Sequence, residues 1–142
     1  GGVVVFLKIR GPPRSTLFPY TKLFWYPGDV EIAWNIVQAK DCTVDQIDAG
    51  LRNGSFYAST GVTISSIETS GTTIHVKTKD AQRVCFVSKL GVIQSIVDEA
   101  EVSYTLPEDP NQALSLSYIR AECYGSGGSV AWTQPIFIEE NA

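Results

Sequence analysis

The stretch Thr72-Thr73-Ile74-His75-Val76-Lys77-Thr78, preceded by Ser70-Gly71, decides the fold. Its side chains alternate with a period of two, so an extended backbone sends Ile74 and Val76 to one face and His75 and Lys77 to the other. A half-buried strand has this pattern, and Ser70-Gly71 supplies the turn in front of it. The same reading extends outward from here. Val62-Thr63-Ile64 begins a strand, and residues 83–88, 92–97 and 102–106 are further strands, separated by Lys89-Leu90-Gly91 and by the acidic Asp98-Glu99. After a loop at 107–111, two longer strands are expected at 113–124 and 130–138, joined through Gly125-Ser126-Gly127-Gly128 as a hairpin. Turns at these intervals are those of sandwich proteins. Residues 55–142 therefore predict an immunoglobulin-like antiparallel β-sandwich, which makes the chain mainly β (α+β) overall.

Residues 1–54 read differently. An apolar run, Val3-Val4-Val5-Phe6-Leu7, predicts a strand within 1–10, and Gly11-Pro12-Pro13 stops it because proline lacks a backbone donor and fixes φ. Residues 31–40 alternate as a second strand, with Ile32, Trp34 and Ile36 on one side. One three-turn helix follows. Thr43 caps it, with Gln46 three residues later as in a capping box. Val44, Ile47 and Leu51 form its apolar stripe, and Asn53-Gly54 stops it. The expected organisation is a strand, loop and helix segment at 1–54 and the sandwich at 55–142.

Composition excludes more functions than it suggests. The 142 residues are 44% hydrophobic and 18% charged, which excludes a disordered chain, a collagen and a coiled coil. A net charge of −4, with the 11 Lys and Arg scattered singly, argues against a nucleic-acid partner. The N-terminal apolar run is too short to cross a membrane and lacks the basic start of a signal peptide. Without Met anywhere, the chain reads as a processed product or a piece of something longer. Cys42, Cys85 and Cys123 are odd in number and far apart, the pattern of reduced thiols, and point to a cytoplasmic protein. A single histidine excludes a self-contained histidine-rich metal centre.

Each residue with chemical potential has a plainer reading. His75 lies on the outward face of a strand with no second ligand nearby in sequence. Cys85 and Cys123 sit on core strands, away from the electropositive setting that activates a thiol. The Gly125–Gly128 loop leads into a strand, not a helix N-terminus that would hold phosphate. Asp98, Glu99 and Glu101, like Glu108 and Asp109, lack calcium-loop spacing and read as solvated loops. Phe24, Trp25 and Tyr26 form an aromatic cluster suited to stacking on a sugar ring or packing on a protein.

A family resemblance takes the reading further. Ala49-Gly50-Leu51-Arg52-Asn53-Gly54-Ser55-Phe56-Tyr57-Ala58-Ser59-Thr60-Gly61 resembles a recurring segment of PHP-domain proteins, the metal-dependent phosphoesterase superfamily that includes histidinol phosphatases. The family segment is a helix ending in ALRxGxFYASTGP. Upstream, Ala33-Trp34-Asn35-Ile36-Val37-Gln38-Ala39-Lys40 resembles the last strand of the family's catalytic barrel, GWxxVxA. Downstream, Ser117-Tyr118-Ile119-Arg120-Ala121-Glu122 and Ala131-Trp132-Thr133-Gln134-Pro135-Ile136-Phe137 resemble the closing YVRxE and AWTNPIF strands, with Gln134 for the commoner Asn. The resemblance runs from about residue 29 to 138.

The resemblance implies that the family's divalent metals are held by His, Asp and Glu of a distorted barrel, most of them N-terminal to the matched region. A late Asp-x-His-type pair precedes the GWxxV strand in the family. In this chain Thr21-Lys22-Leu23-Phe24-Trp25-Tyr26 stands there and offers no such ligands. No catalytic residue, metal ligand or cofactor is therefore expected in this chain. The motif residues Trp34, Gly54, Phe56, Tyr57, Ser59, Thr60, Gly61, Tyr118, Arg120, Trp132, Thr133 and Pro135 are expected to be structural. The implied role is a non-catalytic C-terminal accessory module that buttresses an active site supplied elsewhere. Strands cut off from a barrel leave open edges at Val3–Ile9 and at Trp34, so a homo-oligomer or a larger parent chain is expected. Two other roles compete: a stand-alone module binding carbohydrate or protein through Phe24, Trp25 and Tyr26, and an enzyme whose site forms between protomers from His75 and the loop carboxylates.

Overall fold

The computed structural model describes residues 3–8 and 33–140. The expected turn at residues 11–15, Ile32 and the Phe24, Trp25, Tyr26 cluster lie outside the described residues. The chain divides into two compact units, Gly1–Thr60 and Gly61–Ala142.

In the first unit, β1 (Val3–Lys8), β2 (Trp34–Ala39) and β3 (Phe56–Ser59) form an antiparallel sheet with β2 in the middle. The Trp34 strand, expected to have open edges, thus has a neighbour on each side. Helix α1 (Val44–Arg52) begins where its local chemistry says it should. The Thr43 hydroxyl accepts from Gln46 N at 3.4 Å, and Asp41 in turn accepts from both the backbone N and the hydroxyl of Thr43. The helix ends in a Schellman pair, Ser55 N to Gly50 O and Gly54 N to Leu51 O, with Gly54 at φ 71°. The apolar stripe is less enclosed than its spacing predicts: Val44 is 81% exposed, and Gly50 is the buried helical residue. Close approach to β2 explains this, since a Cβ at Gly50 would lie 2.5 Å from Val37 Cγ1 and 2.9 Å from Gln38 O.

The second unit is a sandwich of two antiparallel sheets. β4 (Ile64–Ser70), β5 (Thr73–Thr78) and β8 (Glu101–Thr105) form one sheet, in that order. The other runs β10 (Val130–Thr133), β9 (Tyr118–Tyr124), β6 (Arg83–Ser88), β7 (Ile93–Val97), and β11 (Ile136–Phe137) also pairs with β9. Ile74 and Val76 are buried as the period of two requires, and Phe86, Ile119 and Cys123 are fully buried from the opposite sheet. The two layers meet where the Phe86 and Tyr104 rings stack at 5.4 Å. Complete burial of a side chain such as Phe86 contributes about 1.5–3 kcal/mol.

Two expected strands are corrected. Residues 113–124 are not one strand: helix α2 (Pro110–Ser115) precedes β9. Asp109 caps α2 by accepting from Asn111 N at 3.0 Å, Pro110 occupies the first turn, and Ser117 at φ 64° breaks helix from strand. Residues 130–138 are likewise two short strands, because Gln134 and Pro135 interrupt the ladder. The expected hairpin is present, β9 pairing with β10 across a 3-10 turn at Ser126–Gly128.

Candidate functional site

The motif residues meet in register within each unit. In the first, Trp34 lies opposite Ser59, Ile36 opposite Tyr57 and Val37 opposite Phe56. Ser59 and Tyr57 are buried, and the Trp34 indole nitrogen is enclosed without an acceptor among the described residues. Thr60 and Gly61 stand where the two units divide. In the second unit, Thr133 has a defined task. The β9–β10 ladder runs to Trp132 opposite Glu122, and pairing of β9 resumes with Ile136 opposite Ile119. Between them the Ala121 N–H would lack a backbone acceptor, and Thr133 Oγ1 takes it at 2.8 Å while donating to Gln134 O. Tyr118 packs edge-on against Phe137.

Alternation along β9 sends Ile119, Ala121 and Cys123 into the sandwich and Tyr118, Arg120, Glu122 and Tyr124 to the other face. Register carries that face across to Arg83, Cys85 and Val87 on β6 and to Ile93 and Ile96 on β7. A groove of about 620 Å³ lies here, lined by Gln82, Arg83, Cys85, Ile93, Ile96, Asp98, Tyr124 and Gly125. Beside it, Glu122 accepts from Arg120 Nη1 at 2.5 Å and from the Tyr124 hydroxyl at 2.6 Å. Burial alone would raise the Glu122 carboxyl, but the bonds from Tyr124 and Arg120 outweigh it and hold it below its ordinary value. The same bond to Glu122, with burial, pushes Tyr124 up to about 12. Burial, then the Glu122 charge, raises the Cys85 thiol, and burial pushes Cys123 up to about 12. Both shifts favour the protonated thiol, Cys123 inside the sandwich and Cys85 against the expectation of a core position, since it lines the groove. The two thiols also sit on opposite faces, Cys85 opposite Glu122 and Cys123 opposite Val84, and all three cysteines are free.

The groove offers apolar walls and a polar rim, with its charges paired. Arg83 binds Asp98 through Nε to Oδ1 at 2.5 Å and Nη2 to Oδ2 at 3.1 Å, which lowers the Asp98 carboxyl. Cys85 is the thiol among the groove's lining residues, and it lies opposite Glu122 in the β6–β9 register. His75 lies on the other sheet's outer face, where its Nδ1 is 2.6 Å from Ser103 Oγ and its Nε2 is 2.9 Å from Glu101 Oε1. Of the loop carboxylates, Glu101 thus joins His75 and Lys77, Asp98 joins Arg83, and Asp109 caps α2. Among the described residues no three His, Cys, Asp or Glu side chains converge as a metal site requires. No helix among them is long and apolar enough to cross a membrane.

Sequence reading did not find the groove or the role of Ser103. Alternation marks which residues share a strand face, but joining Arg83, Ile96 and Tyr124 requires the register of three strands. The chain matches no family model, no curated protein and no solved structure.

Proposed function

We propose that this chain is a non-catalytic C-terminal accessory module of a PHP-type metal-dependent phosphoesterase. The observation that carries this reading is that the family-like motif residues act as joints. Gly54 ends α1 in a left-handed turn, Trp34 and Phe56 to Ser59 pair strand to strand, and Thr133 fills the gap in the β9 ladder. Residues with these tasks suit a module that shapes and supports. In an intact relative, the barrel's His, Asp and Glu residues would hold the divalent metals, which would supply Lewis-acid activation for phosphoester hydrolysis. Here the titratable groups Glu101, Asp98 and Glu122 are paired with His75, Arg83 and Arg120, which favours a supporting role. The proposal extends to a cytoplasmic setting, supported by the three free thiols, and to no resident cofactor. It also extends to work as a homo-oligomer or as part of a larger parent chain.

The reading is tested by incubating the chain with p-nitrophenyl phosphate and Mn2+. The proposal expects no turnover above the metal-only rate; saturable turnover that copurifies with the protein overturns it. A second reading, a stand-alone binding module, is favoured by the apolar walls of the groove, Ile93 and Ile96.

A further inference from the structure

Strand β7 ends its sheet, hydrogen-bonded to β6 on one side with no partner on the other among the described residues. Strands left open in this way ordinarily carry a lysine or proline that discourages further pairing. Residues 90–97 hold neither a charged residue nor a proline. Instead they carry four of the seven exposed large hydrophobic residues among those described: Leu90 at 88%, Val92 at 52%, Ile93 at 55% and Ile96 at 53%. Leu90 also sits at φ 63°, a left-handed position that glycine or asparagine usually fills.

A bulge organises this edge. Phe86 pairs with Ser95 and Val87 with Ile93, so Gln94 is the extra residue, its amide tied to Ser88 Oγ at 3.0 Å. The extra residue brings Ile93 and Ile96, three apart in sequence, to the same face as the groove.

We propose that two copies of this chain associate through the β7 edge, the strands running antiparallel about a two-fold axis. Charge selects this occupant and this direction. Lys89 precedes the apolar strip and Asp98-Glu99 follows it, and neither Lys89 nor Glu99 is in an ion pair among the described residues. Antiparallel pairing sets Lys89 of one copy beside the acidic end of the other, and Ile93 against the second copy's Ile96; parallel pairing stacks like charges. A two-fold contact needs a self-complementary surface, and this strip is one. The inference rests on the strand edge and the charges that flank it; it gives the proposed homo-oligomer an interface and does not depend on the phosphoesterase reading.

Sedimentation velocity of the whole chain over about two decades of concentration tests it. The expected result is a reversible shift from 15.5 kDa toward twice that mass. Ile96→Lys should weaken association by at least about tenfold. Lys89→Glu should weaken it, and the charge swap Lys89→Glu with Glu99→Lys should restore it. Circular dichroism confirms that each variant folds. A chain that stays monomeric throughout overturns the proposal, as does a dimer that both Ile96→Lys and Lys89→Glu leave at wild-type strength.

Discussion

Replacing Thr133 by Val removes one oxygen and keeps the shape of the side chain. Thr133 is 5% exposed and Ala121 is 2% exposed, so water cannot take over the lost bond to Ala121 N. Leaving a buried amide without an acceptor costs about 1–3 kcal/mol. With a mid-range cost of about 2 kcal/mol and about 0.8 kcal/mol returned by the added methyl, the net loss is about 1 kcal/mol. In a chain of this size each kcal/mol lowers Tm by about 2–4 °C, so Tm should fall by about 2–4 °C. Thr133→Ser, which retains the acceptor, separates the hydrogen bond from the packing. Amide exchange gives a local readout, because the Ala121 N–H should lose protection in Thr133→Val and keep it in Thr133→Ser. Equal stability of Thr133→Val and wild type, with Ala121 protection unchanged, would refute the view that this hydroxyl completes the ladder.

Two other consequences follow from the packing and the charges. Gly50→Ala should destabilise by about 1–3 kcal/mol despite the better helix propensity of alanine, because the new methyl overlaps Val37 and the Gln38 carbonyl, and a thermal melt reads it directly. The Glu122 carboxyl is depressed in the folded chain, so its stabilising contribution is full above its ordinary value of 4.5 and is lost as pH falls through the lower folded value. Urea midpoints measured from neutral pH down through that range should fall less steeply for Glu122→Gln than for wild type.

Local chemistry was legible in the sequence and long-range register was not. Helix α1 could be read from Thr43 to Gly54 because its cap and its stop lie within one short stretch, and Ile74 and Val76 declare their face through alternation with His75 and Lys77. Helix α2 was hidden: Asp109-Pro110 is a sound start signal, but the alternating Ala113 to Ile119 run reads as strand until Ser117 turns left-handed. Pro135 should have divided the last strand, since a residue without N–H cannot sit inside a ladder. His75 and Ser103 are 28 residues apart, and only the β5–β8 register brings them opposite one another. The groove depends likewise on β6, β7 and β9 aligning, which no local pattern encodes.

The central claim, that the family-like motifs serve as joints in a module without a metal centre of its own, is met most directly by a thermal melt of chelator-treated protein with and without Mn2+, Zn2+ and Ca2+. A metal at about 100 times its Kd would stabilise the folded chain by about 2.7 kcal/mol, raising Tm by about 5–10 °C. The account predicts no saturable shift with any of the three. A saturable rise with Mn2+ or Zn2+ would contradict it.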